Sequence, residues 1–250
     1  MAQQKLTETE EFVWQYITHN FSEISKLTIS ELGELASVSN ATITRTLQKK
    51  GYSGFTEFKH DVRFNKQNSL SVLEDDQLTR DTKRSILKSY QEVTRTLNML
   101  DVSTIGDVVE CLTHAKRVII FARGFSELLA NEMMIKLQLL DKRCELYTDP
   151  NIIRLISQRL SIDDAVLFIS LNGETVELIE AAKNCLVKSV PTILISANQS
   201  GTLSQYTEHK LFGFKSELSY FPDFEVHSRL PLSVIARLLL DIYAASLSTK

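Results

Sequence analysis

From Ile105 onward, short runs of β-branched and other apolar residues alternate with stretches of helical periodicity. The runs are too uniformly apolar to leave one face in water, so strands formed from them have to be buried on both faces. A parallel sheet with helices on both faces, a three-layer α/β/α arrangement, meets that requirement. The predicted strands are Val118–Phe121, Cys144–Tyr147, Val166–Ser170, Thr192–Ser196 and Leu211–Phe214.

Two of the predicted strands lead into a helix through a turn with small hydroxyl residues. The first turn contains Gly124 and Ser126, and the second contains Ser170, Gly173 and Thr175. A helix start offers unpaired N–H groups and the positive end of the helix dipole, which suits a phosphate, and hydroxyls add further donors. The same hydroxyls could simply cap the helices. Because ligands of such sheets bind beyond the carboxyl ends of the strands, the pair of turns favours one shared anion site.

The first 70 residues show helical periods and almost no strand pattern. A second helix is predicted after Thr28, where Glu31 completes a capping box. After a short turn, Ser39 caps a third helix, which continues to Lys50 and stops at Gly51. Two short helices joined by a three-residue turn have the helix-turn-helix spacing of DNA-binding domains. The first helix is predicted around an apolar face formed by Phe12, Val13, Tyr16 and Ile17.

In the second helix of this motif, Ile43 and Leu47 are four residues apart and face the core. Its N-terminal half is then available to base edges, and its hydroxyls and lysines suit phosphate oxygens. An arginine on such a face can form a bidentate pair with guanine. A small helical bundle with a solvated polar face is the alternative. The candidate DNA-binding residues are Ser39, Asn40, Ala41, Thr42, Thr44, Arg45, Lys49 and Lys50.

The net charge of −3 neither requires nor excludes nucleic acid, but the charge is unevenly distributed. Between Ala41 and Lys66, basic residues outnumber acidic ones by four. The three cysteines match no zinc or redox spacing, which indicates free thiols in a reducing cytosol. The N-terminus lacks the apolar core of a signal peptide, and no run reaches the ~18 apolar residues of a membrane span. We therefore expect a cytoplasmic protein with no membrane contact, no cofactor and no metal.

Two further helices carry apolar surface that one domain need not bury alone. Residues 70–80 are polar and typical of a linker, and the helix from about Asp81 to Leu100 has a heptad stripe. The last helix, Pro231 to Leu247, is apolar almost all round, which implies burial on two sides. If both contact a second subunit, we expect a homodimer or homotetramer bound to a double-stranded operator with an inverted repeat. The stripe consists of Ile86, Tyr90, Val93, Leu97 and Leu100.

Three strings in these regions resemble one known family. VSNATITR at 38–45 and KGYSGFTEFK at 50–59 are similar to the DNA-binding domain of the RpiR family of bacterial regulators. ISLNGET at 169–175, together with Ser126, resembles the sugar isomerase (SIS) domain of that family. The resemblance implies a helix-turn-helix domain over 1–75, a linker and connecting helix over 76–104, and a flavodoxin-like SIS domain over 105–250. It also implies a transcription regulator of sugar-metabolism genes rather than an enzyme.

Carried over position by position, the SIS pattern implies a site for a sugar-phosphate effector. Asn172 stands where the pattern has its second serine, and Ala122 replaces the usual glycine of the first turn, with Arg123 following it. Phosphate binding survives these departures, and Arg123 could supply a charge of its own, but the identity of the sugar becomes less predictable. The implied effector-binding residues are Arg123, Gly124, Ser126, Ser170, Leu171, Asn172, Gly173 and Thr175.

A second interpretation is a phosphosugar isomerase. Glu225 and His227 supply a carboxylate and an imidazole, which can move a proton between sugar carbons. Helix capping by Ser228 or His227 at the start of the last helix is the simpler interpretation of these residues. The helix-turn-helix motif favours the regulator, because an isomerase has no use for a recognition helix.

Overall fold

The computed structural model describes residues 6–20, 24, 27–59, 70, 78–217 and 227–248. The chain divides into two compact units, Met1–Arg80 and Asp81–Lys250. The helix that begins at Arg80, which the sequence assigns to a connecting region, thus lies almost wholly in the second unit.

The first unit is helical, as its sequence predicts. Helices α1, α2 and α3 span Glu8–His19, Ile29–Ala36 and Asn40–Lys49, and residues 55–59 are also helical. Local chemistry sets where they start, since Thr7 and Thr28 each form a capping box and the Ser39 hydroxyl accepts the Thr42 N–H. The helix α3 ends before Gly51, whose φ of +92° is the left-handed conformation that glycine favours. The fully buried core contains Val13, Ile17, Ile24, Leu32, Ile43, Leu47 and Phe58.

The prediction of the apolar face of α1 is wrong in part. Val13 and Ile17 are fully buried, but Phe12 is 53% exposed and Tyr16 is half-buried. Conversely, Thr46 on α3 is fully buried, and its hydroxyl donates to the Thr42 carbonyl at 2.9 Å. This internal bond lets a polar side chain take a core position without an unsatisfied donor.

The second unit contains a five-stranded parallel sheet in the order β2-β1-β3-β4-β5, the flavodoxin-like order. The third and fifth strands start two residues earlier than their sequences indicate, and the fifth also ends two residues earlier. The other strands agree with their predicted runs to within one residue. The elements are α4 Arg80–Met99, α5 Val102–His114, β1 Arg117–Ala122, α6 Ser126–Leu139, β2 Cys144–Tyr147, α7 Pro150–Ser157, β3 Asp164–Ile169, α8 Val176–Val187, β4 Thr192–Ser196, a short 3-10 helix Thr202–Tyr206, β5 His209–Phe212 and α9 Leu230–Ser248.

Both faces of the sheet are covered, so the predicted three-layer arrangement is confirmed. Alternate strand residues, such as Ile120 and Phe121, point to opposite faces and join two separate cores. Helices α5, α6 and α9 cover one face, and α7, α8 and the 3-10 helix cover the other. All six side chains of β3 are buried, including Asp164, whose carboxylate accepts the Arg117 guanidinium at 2.9 Å.

Helix α9 differs from its predicted packing, and the apolar stripe on α4 is not covered within one chain. On α4 the heptad stripe is only half-buried or exposed, and the buried side chains are the polar Glu92 and Thr96. Helix α9 buries one face, while Arg237 and Asp241 on the other are 80% and 72% exposed. By length and composition α9 could cross a membrane, contrary to the sequence expectation, yet seven of its residues pack into the unit. It is therefore best explained as a core helix.

Candidate functional site

The two serine turns meet at one cleft, because β1 and β3 are neighbours in the sheet. Ala122 and Ile169, the last residues of these strands, are directly paired. The chain passes to opposite sides of this pair, toward β2 and toward β4, so the cleft lies at the topological switch point, where such sheets bind ligands. The cleft has a volume of about 260 Å³ and is lined by Arg123, Ser126, Ser170, Leu171, Asn172, Glu174, Thr175, Leu178 and Arg229.

Six of the eight predicted effector residues line this cleft, and the two glycines shape its turns. Gly124 has a φ of +57° and Gly173 a φ of +69°, conformations that strain other residues. A Cβ at 173 would meet the Gly201 Cα at 3.4 Å, an ordinary contact distance, so the backbone conformation rather than space favours glycine there. The structure thus brings the predicted residues together.

The helices that start at this cleft lack side-chain caps. Helix α6 begins after Phe125 and α8 after Thr175, and neither residue forms a side-chain cap hydrogen bond. By contrast, α1, α2, α3, α5 and α7 each have a side-chain cap. At α6 the Ser126 and Glu127 N–H groups donate to the Arg123 and Gly124 carbonyls at 3.3 and 3.0 Å, and the Glu127 carboxylate accepts the Gly124 N–H at 2.8 Å. An anion can accept from the N–H groups that remain at such helix starts.

Two hydroxyls of the cleft are buried, and one of them stabilises its own turn. Ser126 and Ser170 are 2% and 5% exposed. The Ser170 Oγ accepts the Gly173 N–H at 3.2 Å and so stabilises its own turn. Its O–H can still donate, since accepting one bond does not use the hydroxyl proton. Turn stabilisation and ligand binding are therefore compatible at this residue.

The second turn is braced by the loop after β4. The Asn198 amide donates to the Asn172 carbonyl at 2.9 Å, and the Leu203 N–H donates to the Gly173 carbonyl at 2.9 Å. The Glu174 carboxylate accepts both the hydroxyl and the N–H of Thr202, which lowers its pKa. A turn fixed in this way is preorganised for a ligand.

Arg123 differs from the bare charge that the sequence indicates. Its Nε donates to Glu177 at 2.6 Å and its Nη1 donates to the Thr148 carbonyl at 2.5 Å. The Glu127 carboxylate lies 3.6 Å from the same guanidinium. Because Glu127 and Glu177 are in the first turns of α6 and α8, Arg123 ties the two helix starts together and its charge is largely balanced.

Arg229 is a cleft residue that sequence reasoning missed. Its guanidinium lies 5.5 Å from the centroid of the Phe125 ring, and its Nη1 donates to the His227 carbonyl at 2.7 Å. It reaches the cleft from the residue before α9, and no spacing in the sequence connects that position with the two turns. It adds a second guanidinium to the cleft.

Of the two residues that the isomerase interpretation requires, the structure describes only one. Glu225 lies outside the described residues, and His227 is half-buried. The Ser228 Oγ accepts the Leu230 N–H at 3.1 Å, as helix capping predicts. In the described part of the chain, no group of three or more His, Cys, Asp or Glu side chains could hold a metal ion.

The first unit presents the N-terminal half of α3 to solvent. Asn40, Ala41, Arg45 and Lys50 are exposed, while Ile43 and Leu47 are fully buried, as the sequence predicts. The Lys50 ammonium lies 4.9 Å from the centroid of the Trp14 ring, which is a cation–π contact.

The hydroxyls of α3 are largely used within the helix. Thr44 donates to the Asn40 carbonyl at 2.9 Å, so its one proton is not available to a phosphate oxygen. Ser39 and Thr42 share a hydrogen bond of 2.9 Å, in which one hydroxyl donates and the other keeps its proton. Of the three hydroxyls predicted to bind phosphate, this arrangement thus leaves one proton to donate.

Lys49 also differs from its predicted role. Its ammonium lies 2.7 Å from Oε2 of Glu10, and only 19% of its side chain is exposed. The Lys49 hydrogen bond and the Thr7 N–H lower the pKa of Glu10 to about 2. The pair joins α3 to α1, and Lys49 is therefore a poor candidate for a phosphate contact.

Two family models match this chain. The helix-turn-helix domain of the rpiR family matches residues 1–69, and the SIS domain matches residues 111–219. The chain belongs to the RpiR family. This RpiR-family chain is 24% identical over 240 residues to the HTH-type transcriptional regulator GlvR of Bacillus subtilis, a match that covers 96% of the chain and 91% of GlvR.

Solved structures show the same fold for the RpiR-family chain. The Vibrio vulnificus NanR protein, complexed with ManNAc-6P, aligns with a TM-score of 0.57 at 20% identity, covering 97% of this chain and 86% of NanR. The sugar isomerase domain of an RpiR transcription factor from Sphaerobacter thermophilus aligns with a TM-score of 0.60 at 20% identity, covering 65% of this chain and 89% of that domain.

Proposed function

We propose that this protein is a transcription regulator that binds a phosphorylated sugar between its two serine turns and thereby changes its affinity for DNA. The observation that carries the proposal is the cleft itself, where two uncapped helix starts and the hydroxyls of Ser126, Ser170 and Thr175 converge. Uncapped N–H groups and hydroxyls are the donors that a phosphate accepts. The ManNAc-6P bound to NanR, a protein of the same fold, supports the same ligand class.

Thr175→Val tests the cleft. The change keeps the shape of the side chain and removes a hydroxyl that makes no cap hydrogen bond, so the helix start stays intact. In a panel of hexose and amino-sugar 6-phosphates, the compound that binds should raise the melting temperature of the wild type. At about 100 times its dissociation constant it should stabilise the folded state by about 2.7 kcal/mol. Thr175→Val should weaken binding of the same compound, and the unphosphorylated sugars should give little shift.

Thr113→Val is the matched control. The Thr113 hydroxyl donates to the Val109 carbonyl of its own helix, outside the cleft residues. The Thr113→Val variant should bind the sugar phosphate as the wild type does. A panel with no binder, or equal effects of the two valine variants, would overturn the proposed site.

For DNA, we propose that the exposed half of α3 reads the major groove, with Arg45 on a base and Lys50 on the backbone. Arg45→Ala should lose about 1–3 kcal/mol on the operator while nonspecific binding is kept. Lys50→Ala should weaken binding to all DNA sequences. It should also reduce, by about one, the slope of the logarithm of the binding constant against the logarithm of the salt concentration. Lys49→Ala should instead destabilise the first unit, because it leaves Glu10 without its ion-pair partner. An unchanged operator affinity for Arg45→Ala in a gel-shift titration would refute this docking.

We propose that the regulator is not an enzyme. The compact helix-turn-helix unit and the capping bond from Ser228 support a binding role over isomerisation. In deuterated water, an isomerase would exchange the proton that it moves between sugar carbons. The NMR spectrum of a bound sugar phosphate should therefore keep its C–H signals. Loss of those signals would favour the isomerase.

We propose a homodimer or homotetramer that acts in the cytoplasm on an inverted-repeat operator. The outer face of α6 carries three large exposed side chains, Leu128, Ile135 and Leu139, at 76%, 46% and 78% exposure. Apolar surface of this kind supports a subunit contact. The molar mass from light scattering should be at least twice the 28.4 kDa of one chain. A monomer with full operator affinity would refute the assembly.

A further inference from the structure

Segment 213–217, which follows β5, is held against helix α4 by its backbone. The Phe214 N–H donates to Oγ1 of Thr96 at 3.0 Å, and the Ser216 N–H donates to Oε1 of Glu92 at 3.2 Å. Both acceptors are buried, at 0% and 1% exposure. Buried hydrogen bonds between an extended segment and a helix are costly to break, so the segment and α4 are expected to move together.

The packing around this segment is tight. A Cβ at Gly213 would lie 2.7 Å from the Pro231 Cβ and 3.2 Å from the Thr96 side chain. The Arg95 guanidinium lies 3.8 Å from the centroid of the Phe214 ring. A displacement of the segment therefore has little free space to be absorbed before it reaches α4.

Between the two residues that bond to α4, Lys215 contacts a residue that lines the candidate effector cleft. Its Nζ lies 3.1 Å from Oδ1 of Asn172, in the second turn. The amide oxygen is neutral, and among the described residues Lys215 forms no ion pair. The cleft arginine Arg123 differs, because Glu177 and Glu127 balance its charge. An anion in the cleft would offer the Lys215 ammonium a stronger acceptor than the amide.

We propose that Lys215 is a further effector-binding residue and that segment 213–217 passes effector binding to α4. In the free protein Lys215 rests on Asn172; with an anion in the cleft it turns to the anion, and Phe214 and Ser216 carry the change to Thr96 and Glu92. Helix α4 begins at Arg80, where the first unit ends, so this is the element through which the chain continues to the DNA-binding unit. The inference rests on the proposed anion site and adds its route of regulation.

Hydrogen–deuterium exchange of the full chain, titrated with inorganic phosphate, tests the site and the route separately. In the wild type, phosphate should slow exchange in peptides that cover 170–176 and also in those that cover 213–217 and 92–99. Lys215→Met should bind phosphate on the order of tenfold more weakly. At saturating phosphate this variant should keep protection at 170–176 and lose it at 92–99. Lys210→Met, an exposed lysine on β5, should behave as the wild type.

Thr96→Val and Thr96→Ser test the link at the helix. Valine removes the acceptor of the Phe214 N–H, so phosphate should still protect 170–176 but no longer 92–99. Serine keeps the hydroxyl and should restore protection of both regions. No protection anywhere in the wild type would overturn the proposed anion site. Protection of 170–176 without any change at 92–99, or a Lys215→Met variant identical to the wild type, would overturn the route and leave the site standing.

Discussion

Gly33 is where the helix-turn-helix motif is least tolerant of a side chain. It lies inside α2, and a Cβ there would be 2.8 Å from the Val38 carbonyl oxygen and 3.0 Å from Oδ1 of Asn40. The Val38 oxygen belongs to the backbone, and the Val38 N–H already donates to the Gly33 carbonyl at 2.9 Å, so the turn cannot easily yield. In Gly33→Ala, overpacking costs about 1–3 kcal/mol. The better helix propensity of alanine returns about 1 kcal/mol.

We therefore expect Gly33→Ala to destabilise the first unit by about 1 kcal/mol, or about 4–8 °C in melting temperature for a unit of this size. Gly106→Ala is the matched control, because Gly106 is exposed inside α5 and a Cβ there would meet nothing within 4 Å. It should stabilise the second unit by about 0.4–1 kcal/mol.

The single tryptophan, Trp14, lies in α1, so its fluorescence reports unfolding of the first unit alone. Circular dichroism reports both units. Gly33→Ala should lower the fluorescence midpoint and weaken operator binding, because the displaced Asn40 begins the recognition helix. Gly106→Ala should leave the fluorescence midpoint unchanged. If Gly33→Ala raised that midpoint, helix propensity would outweigh the contact, and the close approach in the turn would be wrong.

Two further results are expected from ionisable groups. The pKa of Glu10 is lowered to about 2 in the folded state, so the stability that this carboxylate contributes is complete above the ordinary value of 4.5 and is lost as the pH falls from there toward 2. Glu10→Gln should therefore flatten the pH dependence of the Trp14 fluorescence midpoint in that window. An unchanged slope would contradict the ion pair. Burial raises the pKa of Cys144 and Cys185 to about 12 and of Cys111 to about 11. At pH 8 a disulfide reagent should therefore label the native thiols slowly, with Cys111 first. Rapid release of three equivalents of the reagent's thiol would contradict their burial.

The parts that could be predicted from sequence are those set by neighbouring residues. The capping boxes at Thr7 and Thr28 and the helix end before Gly51 need only local chemistry. The strands were predictable because a run buried on both faces is apolar throughout, and the order of elements then places both turns at one edge. This is why six of the predicted effector residues line the cleft.

The parts that could not be predicted depend on contacts between distant residues. Lys49 resembles a DNA contact until Glu10, thirty-nine residues away, pairs with it. Glu92 and Thr96 look like solvent-facing positions of a heptad, yet they are buried and accept N–H groups from segment 213–217, which is more than a hundred residues away in the chain. Arg229 lines the cleft and Lys215 contacts Asn172, both from positions that carry no motif.

The position of α9 at the end of the chain determines when the sheet can be fully covered during synthesis. One face of the sheet is covered by α5, α6 and α9, and α9 contributes Leu232, Ile235 and Leu239 to that core. Because α9 follows all five strands in the chain, a growing polypeptide exposes the part of this apolar face that α9 covers until the helix has left the ribosome. The helix-turn-helix unit, which has its own core, can fold well before that moment. A chain interrupted before α9 would thus present a folded DNA-binding unit beside an uncovered sheet, the kind of species that proteases and chaperones remove.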